Sequence, residues 1–481
     1  MASPAIVWFR QDLRLRDNPA LIRAATLSRP VVAVFIWSPE EEGEWMQGAA
    51  RRWWTHQALK ALDEALKAKG SRLIIRSGPA LETLRGLARE TGASAVFWNR
   101  RWEPVAIARD TFVKEMLRID GLDVESFNGS LLKEPPGVLN KQGKPFQVFT
   151  PMWKATFDDW HPEQPWPAPR SLKAPATWPA SEPLESLKLE PKIPWDQTMR
   201  LQWRHGEDEA LAMAERFGKQ SSRNYLDGRN IPGAEGTSRL SPYLASGEIS
   251  PRQAWHTVLE AAGIKPGAEM PPGMVQFLKE LGWREFGYQL LYHFPHTPTR
   301  PLRADYERFP WDTDKKALHA WQKGLTGFPI VDAGMRQLWA TGWMHNRVRM
   351  IVASFLVKDL LITWLEGARW FWDTLVDGDL ASNTMGWQWA GGCGADAAPY
   401  FRVFNPMGQG ERFDPGGDYV RHFVPELAAL PDAWIQRPWE APPLILAAAR
   451  VTLGTTYPRP IVDHSAARTR ALAALATIRR E

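Results

Sequence analysis

Residues 377–389, DGDLASNTMGWQW, combine two aspartates, an asparagine and two tryptophans in one short stretch. Two acids separated by one residue are typical of the start of a calcium loop. An EF-hand also needs a ligand at the fifth position, glycine at the sixth and glutamate at the twelfth, but the chain has Ala381, Ser382 and Gln388 there. We therefore expect no calcium here, and we predict no metal site. The acids and indoles together suit a larger, planar ligand with polar edges.

A second polar group follows helical spacing. Glu280, Trp283 and Arg284 lie three and four residues apart, so they share one helix face. They could offer a carboxylate, a planar apolar wall and a cation to one ligand. The alternative is an exposed face with a Glu280–Arg284 ion pair. The indole between the two charges favours a ligand.

Asn346 and Arg349 lie three residues apart in GWMHNRVRMIVASFLV, a helical pattern that is otherwise mostly apolar. A buried charge costs free energy unless it is paired. The acids of residues 377–379 are natural partners for Arg349. A purely structural buried ion pair is the alternative.

The segment EGTSRLSPYLASGEISPRQAW, from Glu235, brings hydroxyls and backbone N–H groups to an apparent helix start. Thr237, Ser238 and Ser241 could cradle a phosphate there, with Arg239 among them, because helix N-termini favour anions. Such clusters cap helices far more often than they bind phosphate. The pattern alone leaves both roles open.

Composition limits the class of protein. The chain has 481 residues, a net charge of +5, 26 tryptophans and one cysteine, Cys393. One cysteine excludes an internal disulfide and makes a thiolate zinc site implausible. No apolar run of about 18 residues exists to span a membrane, and the N-terminus lacks a signal-peptide core. We expect a cytoplasmic protein whose mild basicity permits a polyanionic partner.

The elements that must position these residues fall into three regions. Residues 1–130 alternate five apolar, β-branched runs with helical patterns, which predicts a doubly wound parallel sheet. No G-x-G-x-x-G or Walker motif follows the first strand, so a standard nucleotide site is not expected. Residues 131–200 are predicted to be a long linker, rich in proline between positions 161 and 195. Residues 201–481 carry helical periods and predict an all-helical domain.

Long segments of the chain resemble the DNA photolyase/cryptochrome family. They include VWFRQDLRLRDNPAL, EGTSRLSPYLASGEISPRQ, TGFPIVDAGMRQLWATGWMHNRVRM, GWQWAGGCGADAAPYFRVFNP and YPRPIVDH. The chain is most similar to cyclobutane pyrimidine dimer photolyases, and RRWWTHQAL resembles the bacterial class III subgroup. The resemblance implies a Rossmann-like domain, a linker and an all-helical domain that binds FAD. It also implies light-driven repair of UV-damaged DNA by reduced FAD.

The resemblance assigns residues to the flavin. Tyr225 and the segment 237–241 would hold the FAD phosphates, Arg349 would pair with Asp377, and Asp379 would meet the imide edge of the flavin. Asn383 would face flavin N5, where a neutral amide tunes the cofactor. The full set implied for FAD binding is Tyr225, Thr237, Ser238, Arg239, Leu240, Ser241, Asn346, Arg349, Asp377, Gly378, Asp379 and Asn383.

The resemblance also assigns an electron-transfer chain and a DNA surface. Trp387, Trp364 and Trp311 would carry an electron in short steps between flavin and surface. Glu280 would hydrogen-bond the flipped pyrimidine dimer, between Trp283 and Trp389. The residues implied for DNA and substrate binding are Arg229, Glu280, Trp283, Arg284, Asn346, Arg347, Met350, Trp389 and Gln409.

Proteins with the alternative functions are expected to differ from this chain at a few positions. Photolyases for 6-4 products place histidines where Asn346 and Met350 stand, which favours the cyclobutane dimer. A cryptochrome photoreceptor without repair is the main rival; Asn383, together with Glu280 and Trp283, weighs against it, and so does the absence of a long tail after the helical region. An ordinary FAD redox enzyme would need a substrate pocket for which no motif is present.

The light-harvesting antenna is the least specific expectation. The usual folate pair of relatives is replaced by Val105 and Ala106. Trp53 and Trp54 suggest methenyltetrahydrofolate bound as in class III relatives, with a deazaflavin or no antenna as alternatives. A hydrophobic helix face is the other role for these two indoles. We expect a monomer that acts on DNA without a membrane.

Overall fold

A computed structural model describes residues 3–158, 160–265, 267–396 and 401–479. The chain packs as two compact units that do not follow chain order. The first comprises Met1–Arg223, Ser238–Pro295 and Val376–Ala381, and the second comprises Asn224–Thr237, His296–Leu375 and Ser382–Glu481. The domain boundaries predicted at residues 130 and 200 stay predictions.

The first unit contains a five-stranded parallel sheet with the strand order β3-β2-β1-β4-β5. Its strands are formed by the apolar runs, because β-branched and aromatic side chains suit a sheet that is covered on both faces. The strands are β1 (Ala5–Phe9), β2 (Val31–Trp37), β3 (Leu73–Ser77), β4 (Ala95–Asn99) and β5 (Asp123–Phe127). The predicted doubly wound sheet is confirmed.

Crossover helices cover this sheet. Four helices alternate with the strands: α1 (Pro19–Thr26), α2 (Ala49–Lys67), α3 (Ala80–Thr91) and α4 (Pro104–Ile119). Some of the tryptophan excess is used in this core, since Trp8 and Trp98 lie on paired strands and their rings meet edge to face at 5.7 Å. Edge-to-face rings are a favoured aromatic arrangement.

The proline-rich stretch from 160 to 196 is extended apart from one 3-10 turn at Leu184–Leu187. Backbone hydrogen bonds attach it to the first unit. Lys173 accepts from Val31, and Glu182 donates to Ile75. The stretch therefore lies along the sheet-containing unit as an extended chain.

The remaining described chain is helical. The helices are α5 (Phe149–Thr156), α6 (Gln197–Gln202), α7 (Glu207–Gln220), α8 (Tyr225–Gly228), α9 (Ser241–Ser246), α10 (Pro251–Ala261), α11 (Pro272–His293), α12 (Lys315–Lys323), α13 (Pro329–Thr341), α14 (Asn346–Ser354), α15 (Trp364–Thr374), α16 (Leu380–Gly391), α17 (Pro406–Phe413), α18 (Asp418–Phe423), α19 (Asp432–Ile435), α20 (Pro443–Ala448) and α21 (His464–Arg479). A π-helical turn, Phe355–Asp359, follows α14. The predicted helical character of the second half is confirmed. Within the residues described, none of the helices combines the length and apolarity needed to cross a bilayer.

Candidate functional site

The acidic loop at the start of DGDLASN lies in the first unit. Asp377 and Gly378 are buried and Asp379 is half-buried. Tyr288, on α11, donates its hydroxyl hydrogen bond to Asp379 Oδ2 at 2.5 Å. Burial, followed by the Asp379 charge, raises the pKa of Tyr288 well above its ordinary value, so the phenol stays a donor. This bond holds the carboxylate in one orientation.

A buried cation that the sequence analysis missed lies beside this loop. Arg51, on α2, is only 2% exposed, and its Nη1 donates to the carbonyl of Val376 at 3.3 Å. Burial lowers the pKa of Arg51, while the nearby charges of Glu248, Asp379 and Asp377 raise it. Arg51 precedes Trp54 by three residues on a largely buried helix, a signal that could have identified it.

The face of α11 predicted to meet substrate has defined geometry. Glu280 accepts a hydrogen bond from Gln276 Nε2 at 2.6 Å, one helical turn earlier. Trp283 is half-buried and stacks on Phe149, with ring centroids 3.9 Å apart and planes 9° from parallel. The stack fixes the plane of the indole, which prepares Trp283 to act as a flat wall.

Arg284 does not have the position expected of a DNA contact. Its side chain is 11% exposed, and its Nη1 donates to the carbonyl of Ser130 at 2.8 Å. Burial lowers the pKa of Arg284, but Tyr288 and Asp379 outweigh that effect, and the pKa is raised. A guanidinium turned inward cannot serve a phosphate at the surface, so this residue is reassigned to internal packing. The alternative of an exposed Glu280–Arg284 face is excluded by the same burial.

Glu285, the next residue on α11, should make the stability of the protein depend on pH. Burial raises its pKa to about 7 from 4.5, although Arg284 lies 3.6 Å away and lowers it. Between these two pH values the folded protein binds more protons than the unfolded chain, so the free energy of unfolding should fall as pH rises. The full loss is on the order of 3 kcal/mol. Between pH 5 and pH 7.5, the melting temperature of Glu285→Gln should fall less than that of the wild type. Equal falls in the two proteins would contradict the raised pKa of Glu285.

The predicted phosphate-binding segment is divided between the units. In the second unit, the backbone at Gly228 and Gly236 is so close that a Cβ on Gly236 would lie 2.3 Å from the Gly228 carbonyl oxygen. This close approach brings the turn that follows buried Tyr225 next to the one that precedes Thr237. In the first unit, Ser238 Oγ accepts from the N–H of Leu240 at 3.4 Å, ahead of the short helix α9 that begins at Ser241.

Asn383 lies on α16 in the second unit with its amide orientation fixed. Its Nδ2 donates to the carbonyl of Ala368 at 3.0 Å. A carbonyl only accepts, so the nitrogen must face Ala368, which leaves for a ligand the amide oxygen, as an acceptor, and a second N–H on the same nitrogen, as a donor. The site at Asn383 therefore presents a neutral hydrogen-bond acceptor.

The three tryptophans of the predicted electron-transfer chain all lie in the second unit. The ring of Trp387 lies against α15 at Gly367, where a Cβ would be 2.1 Å from the indole. Buried Trp364 begins the same helix, three residues before Gly367. Next to Trp311, the N–H of Asp312 donates to the carbonyl of Leu361 at 2.8 Å. Trp387 and Trp364 thus lie at helix α15, and Trp311 is next to the bridge that precedes it; electron transfer through the three stays a prediction.

Gln388, between the two indoles of GWQW, has a structural role. Its Nε2 donates to the carbonyls of Thr297 and Arg300, and its Oε1 accepts from the N–H of Leu302. The segment 297–302 is held in this way against α16. The next residue, Trp389, lines a small pocket with Met350; its contact with substrate stays a prediction.

Basic residues gather around Arg347 in the second unit. Its guanidinium lies 4.3 Å from the ring of Phe413, and its Nη2 donates to Asn230 at 2.6 Å. Burial lowers the pKa of Arg347, and the charges of Arg229, Arg412 and Arg402 lower it further. Four arginines this close create a positive surface that suits a polyanion. Arg402 and Arg412 were not predicted.

Other predicted residues occupy the same unit. Asn346 is exposed at the start of α14, and Gln409 is half-buried on α17. Arg349 Nε donates to the carbonyl of Met344 at 2.7 Å; its pairing with Asp377 stays a prediction. His345, next to the positions that distinguish 6-4 photolyases, caps α14 by accepting from the N–H of Arg347.

The indoles predicted for the antenna do not fit a folate. Trp53 and Trp54 are both 0% exposed. Trp54 donates to Glu248 at 2.6 Å and meets the rings of Trp203, His205 and Tyr243 edge to face. Neither ring has a face on which a chromophore could stack. Core packing, the alternative role, is favoured.

The residues predicted for FAD fit that cofactor. An oriented carboxylate at Asp379 suits a donor at a flavin imide edge, and the Asn383 oxygen suits a flavin N–H. The Gly228 and Gly236 backbones approach so closely that a side chain on Gly236 would clash with the Gly228 carbonyl.

Comparison with known proteins gives the family. Residues 277–477 match the family described as the FAD binding domain of DNA photolyase, and residues 5–170 match the family described as DNA photolyase. The chain thus carries an FAD-binding domain, and the residues from Asn346 to Asn383 that are predicted to bind the flavin lie in that part.

Similar proteins extend over the whole chain. A deoxyribodipyrimidine photo-lyase of Agrobacterium fabrum is 49% identical, covering 99% of this chain and 98% of its own. Cryptochrome-2 of Arabidopsis thaliana is 41% identical over 97% of this chain and 78% of its own. The crystal structure of a bacterial class III photolyase from Agrobacterium tumefaciens superposes with a TM-score of 0.95 at 48% identity, covering 100% of this chain and 98% of that one. The chain belongs to the DNA photolyase/cryptochrome family.

Proposed function

We propose that this protein is a deoxyribodipyrimidine photolyase, which uses blue light to split cyclobutane pyrimidine dimers in DNA. The observation that carries the proposal is the orientation of Asn383. Its nitrogen is held by the Ala368 carbonyl, so its oxygen accepts. An acceptor suits the N5–H of reduced flavin, which is the form that repair requires. Identity along the full length to a protein named deoxyribodipyrimidine photo-lyase supports the same function.

Reduced FAD, when bound, supplies an electron upon absorbing light and recovers it after the cyclobutane ring has opened, so there is no net redox change. The chain's residues provide the surroundings for that chemistry. Asp379, oriented by Tyr288, would hold the imide edge, and Arg349 would pair with Asp377. Asn383 would keep the N5 proton in place. Fixed dipoles of this kind stabilise charge without reorganising during the reaction.

The damaged bases must leave the duplex to reach such a site. Extrusion costs a few kcal/mol, less for a lesion that is already poorly paired. Trp283 and Trp389 would flank the dimer, and stacking worth roughly 1–3 kcal/mol per base offsets that cost. Arg229, Arg347 and Gln409 would contact the DNA backbone, which makes binding sensitive to salt.

Glu280 is proposed to hydrogen-bond the pyrimidine edge where negative charge develops. Hydrogen bonds to charged groups contribute about 1.5–3 kcal/mol, so Glu280→Ala should lower repair per absorbed photon by about tenfold or more. FAD content should not change, because the side chain bonds Gln276. The neighbouring Lys279→Ala serves as the control and should repair normally. Equal losses of FAD and repair in Glu280→Ala would count against this role.

The main rival is a cryptochrome photoreceptor without repair. Cryptochrome-2 of Arabidopsis thaliana is 41% identical to this chain, whereas the photo-lyase of Agrobacterium fabrum is 49% identical to it.

We propose a monomer in the cytoplasm, bound to the nucleoid through damaged DNA. Because Trp53 and Trp54 do not fit folate, we assign no step to an antenna.

A further inference from the structure

Residues 401–404 of the second unit are held by two side chains four residues apart, Ser354 and Lys358. Lys358 Nζ donates to the carbonyl of Arg402. Ser354 Oγ accepts from the N–H of Phe404 at 3.1 Å. The backbone of this short segment is therefore fixed on both sides of Val403.

The holding residues lie at a distortion of the helix. Ser354 ends α14, and Lys358 belongs to the π-helical turn Phe355–Asp359 that follows. Such turns are rare and are often found at functional sites, because the additional residue redirects side chains. Here the turn directs Lys358 towards the 401–404 backbone.

The burial of Lys358 costs free energy, because a charged ammonium group is removed from water. It is 5% exposed, and its ammonium lies 4.7 Å from the ring centroid of Phe401. The adjacent Asp359 is engaged by His464 Nδ1 at 2.5 Å. Burial lowers the pKa of Lys358 to about 8, the Asp359 charge raises it, and Arg402 lowers it. Buried cations are retained where they serve a specific arrangement.

The held segment belongs to the predicted substrate surface. Ser354, Lys358 and Arg402 line the same pocket as Met350 and Trp389. The side chain of Arg402 is exposed, and its charge lowers the pKa of Arg347 in the basic cluster. Arg402 thus belongs both to the lining of this pocket and to the basic cluster around Arg347.

We propose that Lys358, assisted by Ser354, is a positioning residue for DNA: it fixes the backbone of residues 401–404 so that Arg402 presents its guanidinium to a DNA phosphate beside the lesion. The inference rests on the proposed function, since it needs a DNA substrate. A segment fixed before binding loses less conformational freedom when the complex forms. Among the described residues, Lys358 contacts the Arg402 carbonyl and the Phe401 ring rather than the residues predicted to bind the flavin.

The test is DNA affinity as a function of salt. Lys358→Met should weaken binding of a dimer-containing duplex by about tenfold and reduce the slope of log K against log salt by about one, as for one lost phosphate contact. FAD content and repair per absorbed photon at saturating DNA should stay at the wild-type level. Unchanged affinity and slope in Lys358→Met would overturn the proposal.

Two further variants separate positioning from general stability. His464→Gln loosens the same turn through Asp359 and should lower the melting temperature without changing the salt slope. In a double-mutant cycle, Lys358→Met should add little to Arg402→Ala, because it acts through Arg402. Additive effects, or the same loss of slope in His464→Gln, would overturn the proposal. If Lys358→Met does not fold, Ser354→Ala takes its place in the cycle with the same criteria.

Failure of the proposed function would look different. In that case the wild-type protein itself would show no preference for the dimer-containing duplex over the undamaged one. If only the positioning role fails, the wild type retains its preference for the dimer-containing duplex, and Lys358→Met has the same affinity and salt slope as the wild type.

Discussion

Replacing Trp364 by phenylalanine is expected to stop light-driven reduction of oxidised FAD, while enzyme reduced beforehand continues to repair DNA. Trp364 starts helix α15, Trp387 packs against Gly367 of that helix, and Trp311 lies beside the bridge that precedes it. Losing the middle indole would leave one long electron-transfer step in place of two short ones. Repair itself uses only the exchange between flavin and dimer, so it does not need this chain.

The measurement follows the absorbance of oxidised flavin under blue light with an external reductant, and then dimer loss after chemical reduction. Trp439→Phe is a matched control, because Trp439 packs against Phe328 elsewhere in the second unit. The control should photoreduce normally. Equal loss of photoreduction and repair in Trp364→Phe would refute the electron-transfer assignment.

A second large effect is expected from Gly367→Ala. The added methyl group would lie 2.1 Å from the Trp387 ring, closer than any real contact, so the indole or α15 must move. Overpacking of this kind costs roughly 1–3 kcal/mol. We expect a lower melting temperature together with slower photoreduction, because Trp387 is the indole assigned next to the flavin.

Gly386→Ala provides the control for that substitution. Gly386 precedes Trp387 on α16, and a methyl group added there would meet no atom of the described residues within 4 Å. Alanine is favoured over glycine in a helix by up to about 1 kcal/mol, so stability should rise or stay unchanged. A Gly367→Ala protein as stable and as photoreducible as Gly386→Ala would show that the Trp387 contact is not tight.

The sheet was predictable because its signal is local. Strands β1, β2 and β4 begin at the first residues of the apolar runs AIVWF, VVAVFIW and AVFWN, and β3 begins at the second residue of the run RLIIR. Strands covered on both faces need nearly continuous apolar sequence, so their runs are visible without knowledge of their partners. The helical second half was predictable for a similar reason, from its 3.6-residue periods.

The roles of single polar and aromatic residues were harder to predict, because they depend on distant partners. Arg284 has the spacing of a substrate contact, but its partner is the carbonyl of Ser130, far away in the sequence. Trp54 was assigned to a chromophore, yet it is enclosed by rings such as Trp203 and Tyr243. Spacing along one helix identifies a shared face, and only the tertiary fold determines whether that face meets a ligand or the core.

The central claim is tested most directly by light-dependent repair. The purified protein should show a flavin absorption spectrum. After reduction, blue light should remove cyclobutane dimers from an oligonucleotide, and none should be lost in the dark. The account predicts this loss of dimers under light. A flavin spectrum with dimers that persist under blue light would contradict the account and favour a cryptochrome.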